Sequence, residues 1–500
     1  MKKNSEPIVY TRRRGVLMPI FSLPEKYGIG TLGRAAYDFI DTLAAAGASI
    51  WAILPTGVTG YGDSPYQSFS SFALNPYFLD LDMLVSDGLL TKEECDSNDF
   101  GDDEAHVDYG RLYENRLPLL MTAYARFSED PEHEKALDEF EKSAPWLDDY
   151  ARFMALKDLN GGVPWYEWED GIKNREPEAM AAISEKIACE VGFHKFLQFK
   201  LSCQWAELAN YALSRGVLIM GDLPIYCAYD SADCWAYRPN FRFDTDGRPT
   251  EVAGVPPDYF CEDGQLWGNP VYDWKYMKDD GFTFWLNRLR RASELYDILR
   301  IDHFRGFASY YAVPFGSPNA KNGEWVKAEG FKLFAAAEKA ELPVEIVAED
   351  LGFITRDVKV LLSRTGFAGM QIMEFAFDDD PKNPHKNRRW DGDARTLKNK
   401  IAYTGTHDNP PFAQWWEETD EHTRELAKKY AKSDDLPYGV VKATVNSNAR
   451  YALIPFWDVL LLGGEARINT PSVAVGNWTR RMTRAEADRF NTELKKLLQN

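Results

Sequence analysis

Eight short apolar runs recur along the chain, each closing on a polar residue, glycine or proline. They are GVLMPI (15–20), SIWAILP (49–55), VLIMGDLP (217–224), DILRIDHF (297–304), VEIVAEDLG (344–352), GMQIMEFAF (369–377), KIAYTGTHD (400–408) and YALIPFWDVL (451–460). Rich in Ile, Val, Leu and Phe, they read as strands buried on both faces. Helical spacing separates several of them. LGRAAYDFIDTLAAAGA precedes the second run, KFLQFKLSCQWAELANYALSRG the third, FTFWLNRLRRASELY the fourth and FKLFAAAEKAELP the fifth. Glycines close the first two of these helices, Gly216 serving as the C-cap of the second. Strand and helix alternating to a count of eight predict an α/β fold, a (β/α)8 TIM barrel in a single catalytic domain over 1–500. An open doubly wound sheet is the alternative.

Two stretches break the alternation. Residues 85–190 lie between the second and third runs and hold helical patterns with acidic linkers, which predicts a helical subdomain inserted into the barrel. Residues 226–274 are dense in Pro, Gly, Asp and aromatics and predict a long irregular loop region over the C-terminal face.

Composition narrows the partners. Hydrophobic residues make up 45% and charged residues 27% of the 500, a folded-protein balance, and the net charge is −19. That acidity argues against nucleic acid or an anionic membrane surface as the main partner. No uninterrupted apolar leader and no membrane-length apolar window occur. The six cysteines form no C-x-x-C pair, which suits free thiols in a reducing cytoplasm. Fifteen Trp and 25 Tyr suit sugar binding, because flat rings cover the apolar faces of pyranoses.

In a barrel, side chains at the C-terminal strand ends converge on one pocket. The third run ends in Gly221-Asp222, the fourth in Arg300-Ile301-Asp302-His303, the fifth in Glu349-Asp350 and the seventh in His407-Asp408. Taken singly, each carboxylate is readable as a helix cap or a solvated loop residue. Four acids with histidines invite two chemistries, glycosyl transfer through a carboxylate nucleophile with a second carboxylic acid, or a divalent-metal hydrolase site. The metal reading is the weaker, since no H-x-H or H-x-x-E-H spacing occurs. Phosphate-loop, nucleophile-elbow and Cys–His signatures are missing as well.

The segments LRIDHFRGF, VAEDLG and YTGTHDN resemble conserved segments of the α-amylase clan. LPTGVTGYGDSPYQSFSSFALNPY, GDLPIYCAYDSADCW, AGVPPDYFCEDGQLWGNPVYDW and GEARINTPSVAVGNW resemble one branch, the 4-α-glucanotransferases (amylomaltases, glycoside hydrolase family 77). The likeness runs from about Gly15 to the C-terminus and is weakest in the helical insertion.

It implies a retaining double displacement on malto-oligosaccharides and other α-1,4-glucans, with glucose among the acceptors and no cofactor or metal. Asp302 matches the nucleophile, Glu349 the general acid/base and Asp408 the third carboxylate. Arg300 matches the arginine beside the nucleophile, and Asp222, His303 and His407 match sugar contacts. Tyr61, Ser64 and Tyr66 match the second-strand loop, Asp258, Trp267 and Asn269 a mobile loop over the cleft, and Asn477 a C-terminal contact. On this reading Arg300 should keep Asp302 ionised, Glu349 should hold its proton more tightly than Asp302, and Arg305 should be a structural ion-pair partner.

Departures from the family pattern are Pro410-Pro411 after Asp408, Trp457 and Ile468 near the eighth run, and Glu262 and Asp263 in the mobile loop. They are expected to touch acceptor preference. An α-glucan hydrolase of the same clan is the neighbouring alternative.

Overall fold

Each of the eight apolar runs becomes a strand of one parallel barrel. The computed structural model describes residues 10–60, 62–257, 262–352, 354–471, 473 and 475–499. In chain order its strands are β1 (Arg13–Leu17), β2 (Ile50–Ala52), β3 (Leu218–Leu223), β4 (Glu251–Val255), β5 (Gln265–Pro270) and β6 (Ile298–Ile301). There follow β7 (Ser309–Pro314), β8 (Glu324–Lys327), β9 (Glu345–Ala348), β10 (Gly369–Ile372), β11 (Lys398–Tyr403) and β12 (Ala449–Pro455). The barrel runs β10-β11-β12-β1-β2-β3-β6-β9. A parallel bridge between Val347 and Ala368, with Ala348 N donating to Ala368 O at 2.8 Å, returns β9 to β10. With the ring joined on itself, backbone groups of every strand find partners and the exposed edges of an open sheet disappear.

The helices follow the expected pattern. Arg34–Ala46, Ala188–Ser214, Thr283–Leu295 and Gly330–Lys339 precede β2, β3, β6 and β9. Gly216 follows the second of these at φ +74°, the left-handed cap position that a side chain disfavours. Gly369 opens β10 for a different reason. A Cβ there would sit 2.2 Å from Asp350 Oδ2 and 2.4 Å from Lys400 Nζ, so only glycine leaves room for that ion pair.

Between β2 and β3 the chain builds helices that include Leu117–Phe127, Pro131–Ser143 and Leu147–Leu159. The 27-residue helix Ala188–Ser214 serves both parts. Near its start Phe196 packs on Phe127 at 4.9 Å, and further along Trp205 Nε1 donates to Leu295 O at 3.0 Å. Two buried glutamines on it replace a sheet ladder. Gln198 bonds both the N–H and the C=O of Leu74 at 2.8 Å, and Gln204 does the same for Asp80 at 2.7 and 3.2 Å. The long β2 loop is thereby held rigid, its backbone groups satisfied without a strand.

Residues 226–274, expected as irregular, in fact hold the helix Ala232–Ala236 and the strands β4 and β5. These pair with β7 and β8 into an antiparallel sheet ordered β5-β4-β7-β8. The pattern hid them because β4 and β5 carry Gly254, Gly268 and Pro270, and their pairing shifts register between Val252 and Gly254. Such strands exist through their partners rather than through local propensity.

One buried acid ties three barrel elements together. Asp458, 1% exposed, accepts hydrogen bonds from Thr404 Oγ1 and, at 2.7 Å, from Phe412 N. Burial pushes its carboxyl up to about 7 from an ordinary value of 3.8, against the pull of both bonds. A carboxyl that holds its proton more tightly when folded adds stability that is fully present below about 3.8 and is lost as pH rises through about 7. Asp458→Asn, which keeps an acceptor and adds a donor, should therefore remove a stability decline between pH 5 and 7.5. Thermal midpoints of both proteins across that range check it, and parallel curves would count against the assignment.

Candidate active site

Strand register places the first pair. Asp222 on β3 lies directly opposite Arg300 on β6, so the two side chains leave the same face of the barrel. Arg300 Nη1 donates to both Asp222 oxygens at 2.6 Å and lies 3.1 Å from Asp302 Oδ1. One guanidinium thus serves two carboxylates at the barrel mouth. Tyr66, from the β2 loop, donates its hydroxyl to Asp222 Oδ2 at 2.8 Å.

The turn after β6 brings the second acid in. Glu349 N donates to Ile301 O at 3.0 Å, which sets the end of β9 beside the end of β6. His303 then takes φ +45°, ψ +49°, a left-handed conformation that costs a non-glycine residue about 1 kcal/mol or more. This turn aims the His303 N–H at Glu349 Oε2, 2.7 Å away, while Leu351 N donates to Oε1 at 3.0 Å. Asp302 and Glu349 are consequently neighbours on adjacent strands. Asp350 faces the other way, binding Lys400 Nζ and, through Oδ1, Met370 N, and is structural.

The β11 end supplies His407 and Asp408. His407, 5% exposed, stacks on Tyr66 with centroids 5.0 Å apart, and Trp478 leans on both rings. Asp408 is more open, with 52% of its side chain exposed, and accepts from Asn469 Nδ2 at 2.7 Å. Trp267 on β5 meets His303 edge-on at 4.8 Å. Four carboxylates, two imidazoles and three large aromatic rings therefore share one cleft.

The remaining expected residues divide. Tyr61 and Asp258 lie outside the described residues. Ser64 Oγ accepts from Tyr66 N at 3.3 Å and shapes the turn that carries Tyr66. Asn269 is buried, joined to Gln67 and to Cys227 O, and braces two loops. Asn477 spends its amide on its own loop, accepting from Thr470 N at 2.9 Å and donating to Val473 O at 2.8 Å. Arg305, expected as an ion-pair partner, feels the charge of Asp357 and also stacks its guanidinium 3.6 Å over Trp325. Trp457 and Ile468, expected to touch acceptor preference, are each 1% exposed and belong to the core. Asn469 and Trp478 were not singled out. Both lie in the GEARINTPSVAVGNW segment, but only the fold reveals what they touch.

Burial raises both Asp302 and Glu349 above the ordinary carboxylate value, and Arg300 works against it in each case. The expectation that Arg300 keeps Asp302 ionised is thus corrected, since burial outweighs the guanidinium. That guanidinium is already engaged by Asp222, and Asp222, Glu349 and Asp408 each make ionising Asp302 harder. For Glu349 the two backbone N–H donors oppose the effect of burial. Burial also pushes His303 down to about 4 and lowers His407, so both rings are neutral hydrogen-bonding groups near pH 7. Positive charge at the site comes from Arg300. Among the described residues no group of three His, Cys, Asp or Glu side chains is placed to hold a metal ion.

The profile of glycoside hydrolase family 77, described as 4-alpha-glucanotransferase, matches residues 18–486. The 4-alpha-glucanotransferase of Thermus thermophilus is 43% identical over 486 residues, covering 95% of each chain. That of Clostridium butyricum is 43% identical over 483 residues, covering 95% of this chain and 97% of the relative. Among solved structures, the amylomaltase from Streptococcus agalactiae in complex with acarbose superposes with a TM-score of 0.93 at 37% identity, covering 97% of this chain and 98% of that one.

Arg300→Gln removes the guanidinium that favours the Asp302 carboxylate. Asp302 should then take up its proton at higher pH, and a limb of the pH–rate profile set by that titration should move with it. An unmoved limb, at whatever residual rate, would show that Arg300 does not govern this titration.

Proposed function

The chain belongs to the 4-alpha-glucanotransferases of glycoside hydrolase family 77, and from that premise we propose how its own residues carry out the reaction. The activity is transfer of α-1,4-glucan segments. The observation that carries the assignment of roles is the pairing of Asp302 and Glu349 at adjacent strand ends, joined by the His303 turn.

Asp302 Oδ attacks the anomeric carbon of a bound malto-oligosaccharide as Glu349 protonates the departing O4. The glycosidic bond breaks, a glycosyl ester of Asp302 forms, and the reducing-end fragment leaves. An acceptor then presents its 4-OH, whose proton passes to Glu349 as its oxygen displaces Asp302. The ester breaks and both carboxyls regain their starting protonation. Positive charge developing at the anomeric carbon stabilises the Asp302 carboxylate, while the leaving oxygen offers Glu349 an acceptor for its proton.

Asp408 holds ring hydroxyls and, with Asp302, stabilises the oxocarbenium-like state. Tyr66, His407 and Trp267 wall the donor sugar, and Asp222, Arg300 and His303 complete its polar contacts. Acarbose in the Streptococcus agalactiae relative supports a cleft that accepts α-glucan-like ligands. Aromatic walls that favour a sugar over water direct the ester to an acceptor glucan or to glucose, and this separates transfer from hydrolysis. Five described cysteines are free thiols, consistent with a reducing, cytoplasmic setting. No helix among the described residues is long and apolar enough to cross a membrane.

Incubated with maltotriose, the protein should yield glucose and oligomers longer than the substrate with little gain in reducing ends. Net hydrolysis would favour the amylase-like alternative. Glu349→Gln should lose on the order of 10^2- to 10^4-fold in rate on glucans. It should lose far less on α-glucosyl fluoride, whose leaving group needs no acid. Asp302→Asn should fail on both substrates, and an active Asp302→Asn protein would refute the covalent route.

A further inference from the structure

Asp408 is the most weakly held of the three proposed catalytic carboxylates. Asp302 has Arg300 beside it and Glu349 has two backbone donors, whereas Asp408 has one short side-chain partner, Asn469. His407 Nε2 is farther, at 3.4 Å, and burial favours its uncharged ring.

Asn469 is itself fixed. It is 9% exposed, and its carbonyl accepts from Arg467 Nε at 3.0 Å. Its neighbours close a loop, with Trp478 N donating to Ile468 O at 2.8 Å and Asn477 bracing the interior. The same Trp478 ring packs on Tyr66 and His407 across the cleft. Asp408's own turn is set from below through Asn409. Its Oδ1 accepts from Thr406 N and Oγ1 at 2.9 Å, and its Nδ2 donates to the buried Glu374 at 2.9 Å. The backbone of the turn thus depends on Glu374 and Asn409, while the direction of the carboxylate depends on Asn469.

We infer that Asn469 is a positioning residue for Asp408, its amide N–H fixing the direction in which the third carboxylate points. The inference rests on the reading of Asp408 given above. With the amide in place Asp408 Oδ1 is held, and without it the half-exposed carboxylate is free to rotate toward solvent.

The test compares Asn469→Ala, Asn469→Asp and Asp408→Asn in maltotriose disproportionation, with kcat and KM resolved across pH 4.5–8 and thermal midpoints recorded. Asn469→Ala should lose roughly 10- to 100-fold in kcat, the scale of misplacing a reacting group by about 1 Å, with KM and the midpoint little changed. Asn469→Asp should be poorer still at pH 7, where two carboxylates face each other. It should regain rate relative to Asn469→Ala as pH falls, because a protonated carboxyl donates to Asp408 as the amide does. A purely structural Asn469 would give both variants the same profile, and that result, or an Asn469→Ala protein with full kcat, overturns the inference. If Asn469→Ala does not fold, the ratio of Asn469→Asp to the parent decides, rising toward acid pH or flat. A fully active Asp408→Asn protein would instead sink the role given to Asp408 itself.

Discussion

The site is organised around one buried cation. Arg300 and Asp222 keep only 11% and 3% of their side chains exposed, and the guanidinium also lies within reach of Asp302. Taking such a pair out of water is costly, and removing either partner leaves an uncompensated buried charge worth about 3–5 kcal/mol. The barrel meets this cost through register, since pairing β3 with β6 sets Asp222 level with Arg300 before any side chain is chosen. Tyr66 caps the free side of Asp222, so the β2 loop is drawn to the same point.

From that centre the rest of the cleft follows by adjacency. The strained His303 turn is retained because it satisfies Glu349 with a backbone N–H, and it leaves the imidazole against Trp267. The price in backbone strain is small beside the several carboxyl groups it organises. Remote parts act by holding loops. Gln198 and Gln204 stiffen the β2 loop, and Asn269 joins that loop to the one bearing Trp267. The helices between β2 and β3 thereby contribute to the cleft without lining it.

Excess negative charge is handled unevenly. Burial makes Asp302 and Glu349 both hold a proton more tightly than a solvated carboxyl does, and neighbouring acids add to this at Asp302. Asp408 stands at the solvent edge, where water shares the load. One buried carboxyl pair and one half-exposed acid arise from position in the fold, not from residue type.

Much was legible in the chain alone. The apolar runs marked all eight barrel strands because strands covered on both faces must be apolar along their length, and their ends named the acids because a parallel barrel gathers strand ends on one rim. Motif likeness then singled out Asp302, Glu349 and Asp408. The tertiary structure decided the rest, because those properties depend on neighbours distant in sequence. Strands β4, β5, β7 and β8 exist by pairing, and Asn469 reaches Asp408 across 61 positions. Trp457 proved to be core, and Arg300 proved to be shared with Asp222 rather than devoted to Asp302. Local pattern determines which residues can be buried or stand at a strand end, but distances between charges, and hence where protons sit, are set only when the chain closes on itself.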